Sequence, residues 1–467
     1  MLLSGLIFER AIRCALLLCF SVLLLAPARG QSSGVGGTLP EDYFPGLKAV
    51  LEKALKQAPQ ILLHEAEIAQ SEARVYGADA QRLPNLGGDI RYDRNQTSIS
   101  NNAGAQSRDN GLFYSAAISQ PLFHWGALKT NSEISRIRVA IAEKNYAEGY
   151  RTLAVVLRQI YVGLVAKKAG LRHEVYFFGL NEANVKSAQE KRDRGEISAG
   201  DFASAQLSLD EARLALDRLK ADFTTERMRF QKLAGAGEIT EEAVPAEIPA
   251  VTYSAPLATT LLADLLRAGG KNLTAEMMEM RVHEADLNYQ IARVRLLPKF
   301  NAQVGYSLLN VTNATANAVN QTGIAQQTVE VNARWTVFDG FATKGAKLEA
   351  LADKRYWQRQ LHLATESTIE EAQRLERALE LDARAIGFAE IRRAGAEEGV
   401  RRQQEEVKLG NVSQGTVDAA LHELRRTEYN NALARAQFLS DWSAFVSLAA
   451  DDPVLNNLPS RYVRPNR

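Results

Sequence analysis

The chain has 467 residues, of which 46% are hydrophobic and 24% charged, and its 56 basic and 55 acidic side chains give a formal net charge of +1. This balance lacks the strongly basic character of a nucleic-acid-binding protein and gives no sign of an acidic partner. The length allows more than one ordinary globular domain.

Residues 1–28 are predicted to be a secretory signal peptide. Arg10 and Arg13 precede an apolar run at residues 15–25, and a small-residue cleavage site follows at residues 26–28. The run is short for a spanning helix, and no other stretch approaches the apolar length that a spanning helix needs. If the mature protein enters a membrane, we expect it to do so through strands.

Both cysteines of the chain, Cys14 and Cys19, lie within this predicted signal. The mature protein is therefore expected to have no disulfide and no catalytic thiol. Cys19 follows three leucines and no small residue, so an unlipidated mature protein is predicted.

The strongest local pattern is a strand that stops at an aromatic residue and a glycine and leads directly into a long helical pattern. It occurs at residues 112–126 and again at residues 328–340. In the second copy apolar and polar residues alternate, which fits a strand between lipid and a water-filled lumen and equally a sheet over a soluble core. On the lipid interpretation, Glu330 and Arg334 face the lumen and Trp335 lies in an aromatic girdle or in the core.

Two more strands and one loop are predicted around these copies. The strands lie at residues 86–96 and 300–308, and the second of them alternates cleanly. The polar stretch at residues 97–111 has the composition of a solvent loop.

The remaining sequence is mostly helical in pattern. Residues 41–82 are predicted to be helical with an interruption at Pro59. Residues 127–194 contain no proline, and a helix of that length extends about 100 Å, too long for a compact globule. After a reversal at residues 194–201, a second helix is predicted at residues 202–233.

This return helix carries a seam of apolar residues spaced alternately by four and three positions, which predicts coiled-coil packing. Glu226 interrupts the seam, and Asp441 takes the same place in the second half of the chain. The seam residues are Ala205, Leu209, Ala212, Leu216, Leu219, Phe223, Phe230 and Leu233.

The second half of the chain repeats the first. Leu83 recurs as Leu297 (297 − 83 = 214), and Gly195 recurs as Gly410 (410 − 195 = 215). An internal duplication is therefore predicted. The expected organisation is a first repeat at 29–235, a linker at 236–256, a second repeat at 257–450 and a C-terminal tail at 451–467.

Four strands are too few to close a transmembrane barrel, because the smallest have about eight. An open edge in lipid leaves backbone groups without hydrogen-bond partners, at a cost of several kcal/mol each. If these strands enter a membrane, several copies of the chain must therefore share one barrel.

The duplicated order of helix, hairpin, long helix, Gly-x-x-Ser turn and helix resembles the TolC-type outer membrane efflux protein family. The motifs SQPLF at residues 119–123 and WTVFDG at residues 335–340 carry this resemblance together with the turns. The resemblance implies a mainly α fold with a small β part. It also implies a homotrimer whose twelve pooled strands form an outer-membrane barrel, continued by a helical tunnel through the periplasm.

The resemblance further implies a passive exit duct that docks on an inner-membrane pump through a periplasmic adaptor protein. The helix-turn-helix tips would face the adaptor, and an acidic ring near them would close the tunnel. Asp201 is instead a helix cap or first-turn acid if no such ring exists. The implied tip residues are Gly195, Ile197, Ser198, Gly410, Val412 and Ser413, and the implied gate residues are Asp201, Thr416 and Asp418.

No catalytic or cofactor motif is recognisable. The six histidines, at positions 64, 124, 173, 283, 362 and 422, show no paired metal-ligand spacing, and no phosphate loop or nucleophile elbow is present in the sequence. A protein without enzyme activity, cofactor or metal is predicted. The alternative function is a soluble periplasmic coiled-coil adaptor or scaffold. Efflux and type I secretion both remain open, because the pump selects the exported substrate.

Overall fold

A computed structural model of the chain describes residues 39–98, 106–314, 318–449 and 452–458. The predicted signal peptide lies outside the described residues, as does most of the predicted tail. Long helices dominate the described chain, and four strands form one small sheet. The predicted mainly α fold with a small β part is confirmed.

Three helices precede the first hairpin: α1 is Pro40–Tyr43, α2 is Pro45–Gln57 and α3 is Pro59–Ala80. Each begins with proline, which is tolerated there because the N–H group at the first helical position has no intrahelical partner. The interruption predicted at Pro59 is the boundary between α2 and α3.

The very long helix predicted in the first repeat is α4, Ala127–Asp193, with 67 residues and a length of about 100 Å. It reverses into α5, Ala199–Ala234. The second repeat contains α6 at Ala255–Arg267, α7 at Leu273–Arg293, α8 at Ala342–Lys408 and α9 at Gln414–Ala449. The long helices of the two repeats start 342 − 127 = 215 residues apart, and the shorter ones 414 − 199 = 215 residues apart.

The strands form one antiparallel sheet in the order β1-β2-β3-β4. They are β1 at Asn85–Ser98, β2 at Gln106–Phe123, β3 at Lys299–Ala314 and β4 at Val319–Arg334. The contact between β2 and β3 joins the two repeats, so the sheet has β1 at one edge and β4 at the other.

All four strands differ in their bounds from the sequence predictions; β3 extends to Ala314, and β4 already begins at Val319. Residues 99–105 of the predicted loop lie outside the described residues. The polar stretch at 97–111 was predicted as a solvent loop, yet β1 extends to Ser98 and β2 begins at Gln106, because backbone ladder bonds form regardless of side-chain polarity. β4 ends at Arg334, so the strand pattern predicted at residues 328–340 continues past the strand. Trp335 therefore follows the strand, and its side chain is 63% exposed.

Helix α4 is the centre of the helical packing. It contacts α5 and α9, and towards the sheet it also contacts α3 and α7, while α8 packs on α7 and α9. The predicted seam of α5 is confirmed, because Ala212, Leu216, Phe223 and Phe230 are buried. Within the described ranges, no helix is long and apolar enough to cross a membrane.

A buried ion cluster ties both ends of the described chain to the middle of α4. Arg158 is fully buried, and its guanidinium donates to Asp452 Oδ2 at 2.7 Å and to Glu41 Oε2 at 2.8 Å. Burial acts against the charge, but the bonds to both carboxylates outweigh it and raise the pKa of Arg158. Asp452 precedes a 3-10 helix at Pro453–Asn457, so the segment after α9 is held by the same arginine.

Candidate functional site

The tip of the first repeat is a tight turn followed by a capped helix. Gly195 adopts φ +73°, in the left-handed region that favours glycine, directly after α4. Ser198 is the N-cap of α5 and forms a capping box with Asp201. The hydroxyl of Ser198 accepts the Asp201 N–H at 3.1 Å, and Asp201 Oδ2 accepts the Ser198 N–H at 3.1 Å. Ile197 is half-buried in this turn.

Asp201 is therefore a helix-cap residue in the single chain, as the alternative interpretation of its sequence position expected. Hydrogen bonds from the Ser198 side chain and backbone hold the pKa of Asp201 below its usual value, so the exposed carboxylate is ionised at neutral pH. A gating role for Asp201 stays a prediction.

The tip of the second repeat has the same backbone turn with different side chains. Gly410 adopts φ +78°, and Ser413 and Thr416 bring their hydroxyl oxygens within 3.4 Å of each other. Thr416 stands where Asp201 stands in the first repeat (416 − 201 = 215), so this cap contains no carboxylate. Val412 is half-buried, as Ile197 is in the first tip.

Asp418 lies beside α4. Its carbonyl accepts a hydrogen bond from the Tyr176 hydroxyl at 3.3 Å, and its Oδ1 accepts one from Gln414 Nε2 at 3.3 Å. The predicted gate residues thus occupy unlike surroundings: Asp201 caps one helix, and Asp418 lies in a contact between the repeats.

The four-stranded sheet has one apolar and one polar face. Paired residues share a face, so Ile118, Val304 and Val329 form an apolar row, while Gln303 and Glu330 belong to the opposite face. Exposed apolar side chains on one face of this sheet are Leu86, Ile90, Tyr92, Ile118, Val304, Tyr306, Val329 and Val331. Such a patch is unusual on a monomeric soluble protein and indicates contact with lipid or protein.

Glu330 and Arg334 lie on the polar face of β4, as predicted. Glu330 Oε1 accepts a hydrogen bond from Asn332 Nδ2 at 3.0 Å, and Arg334 is opposite Lys299 on β3. Both predicted lumen side chains are exposed in the single chain.

The strand-to-helix corners combine one glycine and one aromatic residue in left-handed backbone conformations. In the first repeat these are Trp125 at φ +56° and Gly126 at φ +82°, and in the second they are Gly340 at φ +63° and Phe341 at φ +70°. The indole N–H of Trp125 donates to the carbonyl of Pro298 at 2.8 Å, which fixes the first corner against the start of β3. The two corners are equivalent in conformation although their residue order is reversed.

The structure pairs two histidines that appear scattered in the sequence. His173 of α4 and His422 of α9 bring their Nε2 atoms within 3.2 Å. Burial is the main cause that lowers the pKa of His422, and the neighbouring His173 lowers it further. Sequence reasoning missed this pair because its members are 249 positions apart on different repeats.

The seam positions that interrupt the apolar pattern are also paired. In the first hairpin, Lys167 Nζ lies 2.9 Å from Glu226 Oε1. The equivalent residues of the second hairpin are Asp382 and Asp441 (382 − 167 = 215 and 441 − 226 = 215). Burial and then the adjacent Asp441 raise the pKa of Asp382 to about 6.

Solved structures of outer-membrane channels share this fold. The CmeC outer membrane channel of Campylobacter jejuni is similar with a TM-score of 0.68 at 13% identity, and the match covers 86% of this chain and 85% of that chain. VceC of Vibrio cholerae is similar with a TM-score of 0.65 at 15% identity over 89% of this chain and 99% of that one. The open-state MtrE channel of Neisseria gonorrhoeae has a TM-score of 0.63 at 15% identity over 87% and 89%.

Residues 50–236 match the family model described as outer membrane efflux protein. The matched segment runs from α2 past the end of α5, and the second repeat follows with the same order of strands and long helices. This match confirms the predicted resemblance to the outer membrane efflux protein family, with the predicted role in efflux and the predicted outer-membrane location. This is a family of channels rather than of enzymes. No curated protein matches the chain.

Proposed function

We propose that three copies of this chain assemble into a passive exit duct, through which substrates leave the cell envelope without a catalytic step. The observation that carries this proposal is the sheet, which has a polar face, an exposed apolar face and two edges that pair with no other strand among the described residues. Because bare strand edges are too costly in lipid, β4 of one copy must pair with β1 of the next.

Three copies contribute 3 × 4 = 12 strands to one barrel. That number exceeds the roughly eight strands of the smallest transmembrane barrels, so closure is geometrically feasible. The apolar face then meets lipid, and the polar face with Glu330 and Arg334 lines a water-filled lumen. Trp335, directly after β4, lies at the membrane boundary, where aromatic side chains are common.

The helices support the same assembly. Neighbour contacts give the lateral order α5, α4, α9, α8, which leaves α5 and α8 at the two sides of the chain. Both outer helices carry large exposed apolar side chains, as expected if α8 of one copy packs on α5 of the next. These side chains are Leu207, Leu214 and Met228 on α5, and Leu348, Tyr356, Leu363, Leu381, Phe388 and Ile391 on α8.

The two tips are the proposed docking surface for a periplasmic adaptor protein, which links the duct to an inner-membrane pump. Each tip offers exposed serine and glycine residues around one half-buried aliphatic side chain, Ile197 or Val412. In a trimer, three copies of Asp201 and three of Asp418 supply the carboxylates of a polar gate that attracts cations. The exported substrate, whether a small molecule or a polypeptide, is set by the pump.

The first test is the mass of the assembly. Full-length protein is expressed, the membranes are fractionated and extracted in mild detergent, and the protein mass is measured by light scattering with the detergent contribution subtracted. We expect a trimer in the outer-membrane fraction. A soluble monomer or dimer in the periplasmic fraction contradicts the shared barrel and favours the coiled-coil scaffold.

The second test is channel conductance in a planar bilayer. We expect conductance from wild-type trimer, and we expect Asp201→Asn to reduce its cation selectivity because it removes three carboxylates of the proposed gate. Asp210→Asn, which also removes one exposed negative charge of α5 but outside the tip, is the matched control. Trimer without any conductance contradicts the duct.

A further inference from the structure

The contact between α4 and α9 contains a pair of histidines that the proposed duct does not require. The Nε2 atoms of His173 and His422 are 3.2 Å apart, and their ring centroids are 5.0 Å apart. Phe177 stacks near both rings, with its centroid 4.6 Å from that of His422. The pair therefore lies in a sheltered contact that joins the first repeat to the second.

A neighbouring carboxylate fixes the tautomer of one ring. His173 Nδ1 lies 3.2 Å from Glu174 Oε1. An ionised carboxylate only accepts hydrogen bonds, so Nδ1 of His173 carries the proton and its Nε2 directs a lone pair towards His422. A carboxylate behind an imidazole is also the arrangement that orients histidines bound to a metal ion.

The distance between the two nitrogens suits a shared metal ion. Zinc binds imidazole nitrogen at about 2.0–2.1 Å in tetrahedral geometry, which places two such nitrogens about 3.3 Å apart. The observed 3.2 Å agrees with this separation. When His422 carries its proton on Nδ1, the second ring also offers its Nε2 lone pair.

We propose that His173 and His422 bind a divalent transition-metal ion such as zinc, which links α4 to α9. Among the described residues, no group of three or more histidine, cysteine, aspartate and glutamate side chains is arranged to hold a metal. Water therefore completes the coordination, and the affinity is below that of a structural zinc site with four protein ligands. The proposal does not depend on the duct, because both ligands belong to one chain.

Isothermal titration with zinc chloride tests the site on full-length protein that has been purified in detergent and stripped with a chelator. The variants are His173→Phe and His422→Leu. They introduce the residues at the equivalent positions of the other repeat, Phe388 and Leu207 (388 − 173 = 215 and 422 − 207 = 215). The control is His362→Leu, since His362 is exposed on α8 and lies 3.3 Å from Glu366.

We expect one zinc ion per chain in the wild type and in the control, and at least a tenfold weaker affinity in both variants. Zinc should also raise the unfolding temperature of the wild type and leave that of the variants unchanged. Light scattering and circular dichroism establish that each variant assembles and folds. If His422→Leu does not fold, His422→Gln is used in its place. No saturable binding by the wild type, or equal binding by the wild type and both variants, overturns the proposal.

Discussion

Replacing Asp382 by lysine tests whether two facing acids weaken the second helical hairpin. The first hairpin has the ion pair Lys167–Glu226 at the equivalent positions. In the second hairpin, Asp382 Oδ2 is buried without a hydrogen-bond partner, while Asp441 Oδ2 accepts a bond from Gln437 Nε2 at 2.9 Å. Asp382→Lys therefore converts an acid pair into the ion pair of the other repeat.

The magnitude follows from the pKa of Asp382, which burial and Asp441 raise from 3.8 to about 6. A shift of about two units corresponds to about 3 kcal/mol, and solvent screening of this half-exposed group reduces it to about 1 kcal/mol. Because the pKa of Asp382 is raised in the folded state, protonation of Asp382 stabilises the fold. This stabilisation is complete below about pH 4 and is lost as the pH rises through about 6. Asp441 also has an electrostatic interaction with Arg374, which forms an ion pair with Glu371.

Amide hydrogen exchange measured by mass spectrometry reports this effect locally. At about pH 7.5, Asp382→Lys should raise the local free energy of unfolding by about 1 kcal/mol. After correction for intrinsic rates, exchange around residues 382 and 441 should then be roughly fivefold slower than in wild type. Asp382→Asn removes the charge alone and should recover part of this protection. The reciprocal variant Lys167→Asp should speed exchange in the first hairpin.

Equal exchange rates in wild type and Asp382→Lys at about pH 7.5 would mean that the two facing acids do not weaken the hairpin. A difference between them that does not shrink when the pH is lowered to about 4, where Asp382 is protonated, would lead to the same conclusion. Peptides from α7 are the internal reference, because they lie outside this hairpin and should be unchanged.

Three further predictions concern stability. Arg158→Leu should destabilise the chain by about 3–5 kcal/mol in chemical denaturation, because it leaves the buried Asp452 carboxylate and the part-buried Glu41 carboxylate without their guanidinium partner; equal stability contradicts this role of the buried ion cluster. Ser198→Ala should cost about 1 kcal/mol by removing the cap of α5, seen as faster exchange in its first turn, and no change there would contradict the role of the capping box. Gly235→Ala should cost more than Gly410→Ala, because both have positive φ but a Cβ at position 235 would lie 2.3 Å from the Gln57 carbonyl oxygen; similar unfolding temperatures would exclude the clash.

Local sequence patterns predicted the parts of the fold that depend on periodicity. The 67-residue length of α4 and α8 follows from uninterrupted helical sequence, and the reversals follow from Gly195 and Gly410, which adopt positive φ. The alternation of Val329, Glu330 and Val331 gave the two faces of the sheet, because strand side chains alternate by geometry. The duplication was visible because both repeats keep these spacings.

The pairings between distant segments could not be predicted in the same way. Arg158 meets Asp452 at a separation of 294 residues, and His173 meets His422 at 249, so no local spacing connects them. The length of β1 and β2 was underestimated because their outer parts are polar and are held by backbone hydrogen bonds to each other. Comparison of the two repeats revealed more than local spacing, because it identified Asp441 at the position equivalent to Glu226. It did not identify Asp382 as the partner of Asp441.

The duplicated chain keeps the backbone of its two hairpins alike while their polar contacts diverge. Both hairpins join a helix of 67 residues to one of 36, and their packing depends on an apolar seam that an acidic residue interrupts at the same position in each. Lys167–Glu226 and Asp382–Asp441 can therefore differ without a change in helix length or register. In the proposed trimer, three copies of the chain would supply six hairpins of two kinds, which would alternate around the tunnel.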